Sequence, residues 1–139
     1  MRTVLYIVIL LLYFTSPALG AETPVADDII HAVDSMMMEK RAEIKARISL
    51  TESESQKFWS VYDNFEDEMR AVTTKIMVLM INVYAGESFT DEQADAIIEQ
   101  LLGAHTDSFK IQQKYSQKFQ TILPPQKTVQ FIGTLLRAE

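Results

Sequence analysis

The sequence has no cysteine, and only four glycines, four prolines and one tryptophan in 139 residues. Without cysteine there is no disulfide and no thiol nucleophile, so stability must come from packing or association. A Gly-rich phosphate loop, a G-x-S-x-G elbow and an H-E-x-x-H zinc motif are missing as well. The usual catalytic roles therefore stand unfilled, and no enzyme activity, nucleotide or other cofactor is expected. Basic side chains are in the minority: beyond residue 20 there are 12 against 19 acidic ones, a net charge of −7. That balance argues against nucleic acid or an anionic membrane surface as partner, since both demand positive charge.

What is present is mostly helical rhythm. Scarce Gly and Pro, with apolar residues spaced every 3.5 to 3.6 positions, predict an all-α domain. Ahead of it, residues 1–20 combine Arg2, an apolar run from Val4 to Phe14, Pro17, and the small residues Ala18 and Gly20 before Ala21. This is the layout of a cleaved signal peptide, and the run is too short to span a bilayer comfortably. Residues 21–139 are then expected to form one helical domain.

A first helix is predicted from about Val25 to Ile48, with Ile30, Val33, Met37, Ile44 and Ile48 inward. The stretch Leu50-Thr51-Glu52-Ser53-Glu54 starts a second helix, because Thr51 and Glu54 have the spacing of a capping box. Its seam reads Phe58, Tyr62, Phe65, Met69, Val72, Ile76, Leu79 and Val83, alternating steps of four and three until Gly86. Trp59 is one position off that seam and either packs on a flanking helix or lines an open face. Phe89-Thr90-Asp91-Glu92-Gln93 repeats the start signal for a third helix, Asp91 to Leu123. Its expected seam is Ala94, Ile98, Leu101, His105, Ser108, Gln112, Tyr115, Phe119 and Ile122, with a looser contact or bend near Gly103. Pro124 and Pro125 stop it, and Gln126 to Arg137 form a short fourth helix with Val129, Ile132 and Leu136 inward. The expected architecture is a long antiparallel hairpin flanked by a first and a short last helix. So thin a hairpin buries little alone, which predicts a homodimer.

His31 and His105 sit on different helices, without the spacing of a ligand pair, so they and Met36 to Met38 are read as packing rather than a metal site. The run from Ile76 to Tyr84 is apolar on all sides apart from Asn82. Either a dimer or the flanking helices bury the excess, or part of it stays open as a binding patch. Met77, Met80, Ile81 and Tyr84, with Met36 and Met38 if they face outward, are the candidate binding residues. Lys110, Lys114 and Lys118 form a basic stripe at i, i+4, i+8, which is either simply solvated or, if next to the apolar patch, attracts acidic segments of an unfolded client.

The motifs at 50–54 and 89–93 resemble the paired LTxxQ motifs of the Spy/CpxP family of periplasmic proteins. Leu50, Thr51, Thr90 and Gln93 match, while Glu54 stands where the family has Gln and Phe89 where it has Leu. The resemblance implies a cradle-shaped antiparallel dimer in the periplasm, with ATP-independent chaperone or envelope-stress regulatory activity. The leading expectation is a holdase for unfolded or misfolded proteins. The alternative is a regulator that binds one membrane signalling partner in an envelope-stress or metal response.

Overall fold

The computed structural model describes residues 24–85 and 88–137. The expected signal peptide, residues 1–20, lies outside the described residues. Among these there are four helices and no strand: α1 (Pro24–Arg47), α2 (Glu52–Tyr84), α3 (Asp91–Ile122) and α4 (Pro125–Leu135). The class is all-α, and the helix ends fall close to those expected from the start and stop signals.

Those signals form as the local chemistry requires. The Thr51 hydroxyl accepts from the Glu54 N–H at 3.2 Å, and the Thr51 N–H donates to Glu54 Oε2 at 2.8 Å. Thr90 and Gln93 make the same reciprocal pair at 3.3 and 3.0 Å. Each box satisfies two backbone donors that would otherwise lack partners at the start of a helix. Pro125 opens α4, where its missing N–H has no intrahelical partner to lose.

α2 and α3 pack antiparallel along their lengths. Phe58 meets Phe119 at 4.9 Å between ring centroids, Phe65 meets Tyr115 at 5.5 Å, and the Ser108 hydroxyl reaches Met69 Sδ at 4.0 Å. α1 runs back along α2, its register held by the ion pairs Asp34–Arg70 and Arg41–Glu66, the latter 2.7 Å. The α4 backbone closely approaches both α1 and α3, whereas the backbones of α1 and α3 do not approach each other. The core therefore gathers at one end, from Ile44, Ile48, Phe58, Tyr62, Phe65, Tyr115, Phe119, Leu123 and Phe131. Burying each such side chain contributes roughly 1.5–3 kcal/mol. Trp59 packs on α1: the Arg41 guanidinium and the Lys45 ammonium lie 5.1 and 5.2 Å from its ring.

Several inward positions differ from expectation. In α1, Ile29 is buried and Ile30 exposed, because a step of four to Val33 holds the face set by Val33 and Ile44. In α3, Ile97 and Ala104 take the seam places expected for Ile98 and His105, which are exposed. Steps alternating three and four lead from Ala94 through Ile97, Leu101, Ala104, Ser108 and Ile111 to the anchor Tyr115, and a further step of four to Phe119. The helix continues unbroken through Gly103, which is on its outer side. In α4, Thr128, Phe131 and Thr134 are buried, and Val129 and Leu136 are exposed. Phe58 and Phe119 already touch, and Phe131 is the side chain of α4 that packs on both, at 5.0 and 4.4 Å between centroids. Val83 is exposed too, beyond the last buried seam residue, Leu79.

Candidate functional site

Two right-handed helices packed antiparallel place the residues one step after their seam positions on the same side of the pair. The residues one step before fall on the other side. The ion pairs follow this rule. Glu68 and Lys114, each one step before a seam residue, meet at 2.7 Å. Trp59, Asp63, Glu66 and Arg70, each one step after, hold α1. The side that carries α1 and α4 thus also displays Thr73, Met77, Met80 and Tyr84 from α2, and Ile98, Leu102, His105 and Phe109 from α3.

On that side the core end is closed and the far end open. α4 fills the space between α1 and α3 as far as its last turn. There Lys40 of α1 reaches the carbonyl oxygens of Thr134 and Arg137 at 3.4 and 3.3 Å. A helix C-terminus favours such a cation, and the last turn of α4 has no basic residue of its own. Glu43 draws the same region together, with Lys40 at 2.8 Å, Arg47 at 2.9 Å and Arg137 at 4.0 Å. The Lys40 hydrogen bond holds the Glu43 carboxyl below its ordinary range. Beyond this closure α1 and α3 stand apart as two walls with α2 as floor. The register set by Asp34–Arg70 and by Met69 with Ser108 brings Met36 and Phe109 to nearly the same level on opposite walls.

The channel is apolar and open. Ile98, Leu102 and Phe109 are 55, 64 and 65% exposed, and Met77 and Met80 beneath them are half-buried. Spacings of four, three and four put Ile98, Leu102, His105 and Phe109 in one row on α3. Residue pairs such as Ile97-Ile98 and Leu101-Leu102 carried the signal for this second row, which a single-seam reading passes over.

The expected binding residues divide accordingly. Met36, Met77, Met80 and Tyr84 share the channel side. Ile81, two steps past Leu79, lies on the outer edge of α2. Met38 lies on the flank of α1 that carries Asp34 and Arg41, away from α4. The lysine stripe is not beside the patch: Lys110, Lys114 and Lys118 lie on the opposite side, where Lys114 pairs with Glu68 and Lys110 with Asp107 at 3.7 Å. The Lys114 hydrogen bond holds the Glu68 carboxyl below its ordinary range. Tyr115 donates to Glu68 Oε1 at 2.7 Å, and burial followed by that bond pushes its phenol up to about 12.

The two threonine motifs differ in placement. Leu50 packs against the core, and Glu54 Oε2 also takes Lys127 Nζ of α4 at 2.6 Å. That bond is the main reason the Glu54 carboxyl lies below its ordinary range. Glutamate at this place keeps the cap and adds a charged tie to α4 that glutamine lacks. Phe89, half-buried, is not part of the core cluster, so the second motif serves the start of α3 alone.

His31 and His105 are both exposed, and no group of three His, Cys, Asp or Glu suited to a metal ion occurs among the described residues. No described helix is long and apolar enough to cross a membrane. Compared with models of known families, with curated proteins and with solved structures, the chain matches none of them.

Proposed function

We propose that this protein is an ATP-independent holdase of the periplasm, binding unfolded or misfolded proteins along the open channel between α1 and α3. The observation that carries the reading is the exposed row Ile98, Leu102 and Phe109 above Met77 and Met80, which the chain's own core leaves uncovered. Methionines and a half-formed channel suit varied apolar segments, since unbranched side chains repack around different partners. The resemblance to LTxxQ proteins supports the same compartment and activity. Export implies cleavage ahead of Ala21, which the intact mass of the processed chain measures. A homodimer belongs to this proposal in a form that leaves the channel free, and sedimentation equilibrium measures it.

Light scattering of an unrelated, chemically unfolded protein diluted into buffer with the purified chain, without ATP, tests the activity. Suppression near one chain per client is expected, with loss in Leu102→Asp and retention in Val129→Asp, which removes an exposed apolar residue from α4. No suppression by a folded wild-type chain would refute the holdase. A second reading rests on the channel being one helix wide and closed at one end. It would then receive one defined helix of a membrane signalling protein, with saturable binding and no effect on unrelated clients.

A further inference from the structure

We propose that the open channel selects cationic amphipathic helices, so that its preferred segments carry Lys or Arg beside an apolar stripe. This rests on the polypeptide-binding reading above and adds the chemistry of the segment bound. Shape gives the first argument. One end of the channel already holds a helix, α4, which presents Phe131 inward and touches both walls. From Pro24 to Glu39 the α1 wall continues past Lys40 for about 24 Å at 1.5 Å per residue, room for roughly four further helical turns.

Charge gives the second argument. Over Pro24 to Glu39 the channel flank of α1 carries Asp28 and Glu39, with no lysine or arginine; Asp27 and Asp34, seven positions apart, lie on the other flank, where Asp34 pairs with Arg70. Over Asp91 to Phe109 the α3 wall carries Asp91, Glu92, Asp95 and Glu99, again without a basic residue; Asp107, one step before Ser108, is on the far side, where it pairs with Lys110. Asp28, Glu39, Asp95 and Glu99 are exposed at the rims and have no ion-pair partner among the described residues. The lysines of this end, Lys75 and Lys110, lie one step before seam positions and so on the far side. An apolar floor between two acidic rims complements a helix with a greasy stripe flanked by cations. It disfavours a second copy seated face to face, which would set acidic rims against each other.

The test uses three labelled peptides of about sixteen residues, matched to the length of the open wall. One has Leu and Lys at helical spacing, one has Leu and Glu in the same pattern, and one has the Leu and Lys scrambled. Anisotropy at low salt is expected to show the patterned Leu/Lys peptide bound about tenfold or more tighter than either control. The gap should narrow sharply at ~0.5 M salt, where screening falls to a few ångströms. Leu102→Asp should abolish binding, and Asp95→Lys with Glu99→Lys should reverse the preference toward Leu/Glu. Equal affinity for the patterned Leu/Lys and Leu/Glu peptides, or for the scrambled one, would overturn the proposal. So would indifference to the rim substitutions. Scattering on the same preparation separates the two readings. Suppression of aggregation with no peptide preference sinks the charge selection alone, and no suppression with no peptide binding sinks the holdase as well. If Leu102→Asp converts a dimer to a monomer and the wild type binds no peptide, a second copy occupies the channel and the proposal is wrong.

Discussion

Replacing Phe131 by alanine removes the ring that holds α4 in the channel. Phe131 is fully buried, with its centroid 4.4 Å from Phe119, 5.0 Å from Phe58 and 6.3 Å from Tyr62. Truncating a buried phenylalanine costs about 3–5 kcal/mol, through lost transfer energy and the cavity left behind. α4 has 11 residues, too few to persist as a helix without its packing. Its remaining apolar contacts, through the partly buried Ile132 and Leu135, are smaller, and its polar ties, Lys127–Glu54 and Lys40 to the last carbonyls, are partly open to solvent and weak against that loss. The loss should therefore appear first as undocking of α4, before the hairpin unfolds. Hydrogen exchange of residues 125–135 should accelerate by roughly two to three powers of ten, at 1.4 kcal/mol per tenfold. Phe131→Leu, closer in volume, should cost about 1.5 kcal/mol or less. Undocking also lengthens the open channel and uncovers Phe58 and Phe119, so a hydrophobic dye should fluoresce more strongly with Phe131→Ala than with wild type. If α4 amides lose less than about tenfold in protection, the ring is not what anchors the helix, and the account of the closed end is wrong.

Thr51→Ala and Thr90→Ala each remove a capping box and should cost about 0.5–2 kcal/mol in urea denaturation. The first should cost more, because its box also positions Glu54 for Lys127; equal losses would count against that coupling. Glu54→Gln keeps the cap and removes the charged tie. The folded carboxyl titrates below its ordinary 4.5, so its contribution is present above that pH and fades as pH falls through the lowered value. The destabilisation measured near neutrality should accordingly shrink as pH falls below 4.5, and a deficit that stays constant with pH would point to packing. Ultraviolet titration should show Tyr115 ionising near 12, with Tyr62 displaced upward by burial as well. Glu68→Gln should bring the Tyr115 value down without moving Tyr62.

What the sequence determined by itself is local. Four residues suffice to write a capping box, and Thr51 with Glu54 and Thr90 with Gln93 form theirs where the spacing says. Pro124 and Pro125 end α3 for reasons carried in their own rings, and the aromatic steps from Phe58 to Phe65 face inward as their period requires. Where one helix offers two rows of equal apolarity, period is silent. Ile97-Ile98 and Leu101-Leu102 give α3 two such rows, and the anchoring of Tyr115 and Phe119 against α2 selects the first and leaves the second open. The same holds for α4, whose inward side was settled by the Phe58 and Phe119 rings of two other helices, on which Phe131 packs. Likewise Glu54 meets Lys127 across 73 positions of chain, and no local pattern announces such a pair. Met36 joins the channel and Met38 does not, although both are exposed on one helix, because only the placement of α4 and α3 gives α1 an inner flank. The helices were legible because their causes lie within a few residues. The channel was not, because its walls exist only once α1 and α3 have been packed against α2.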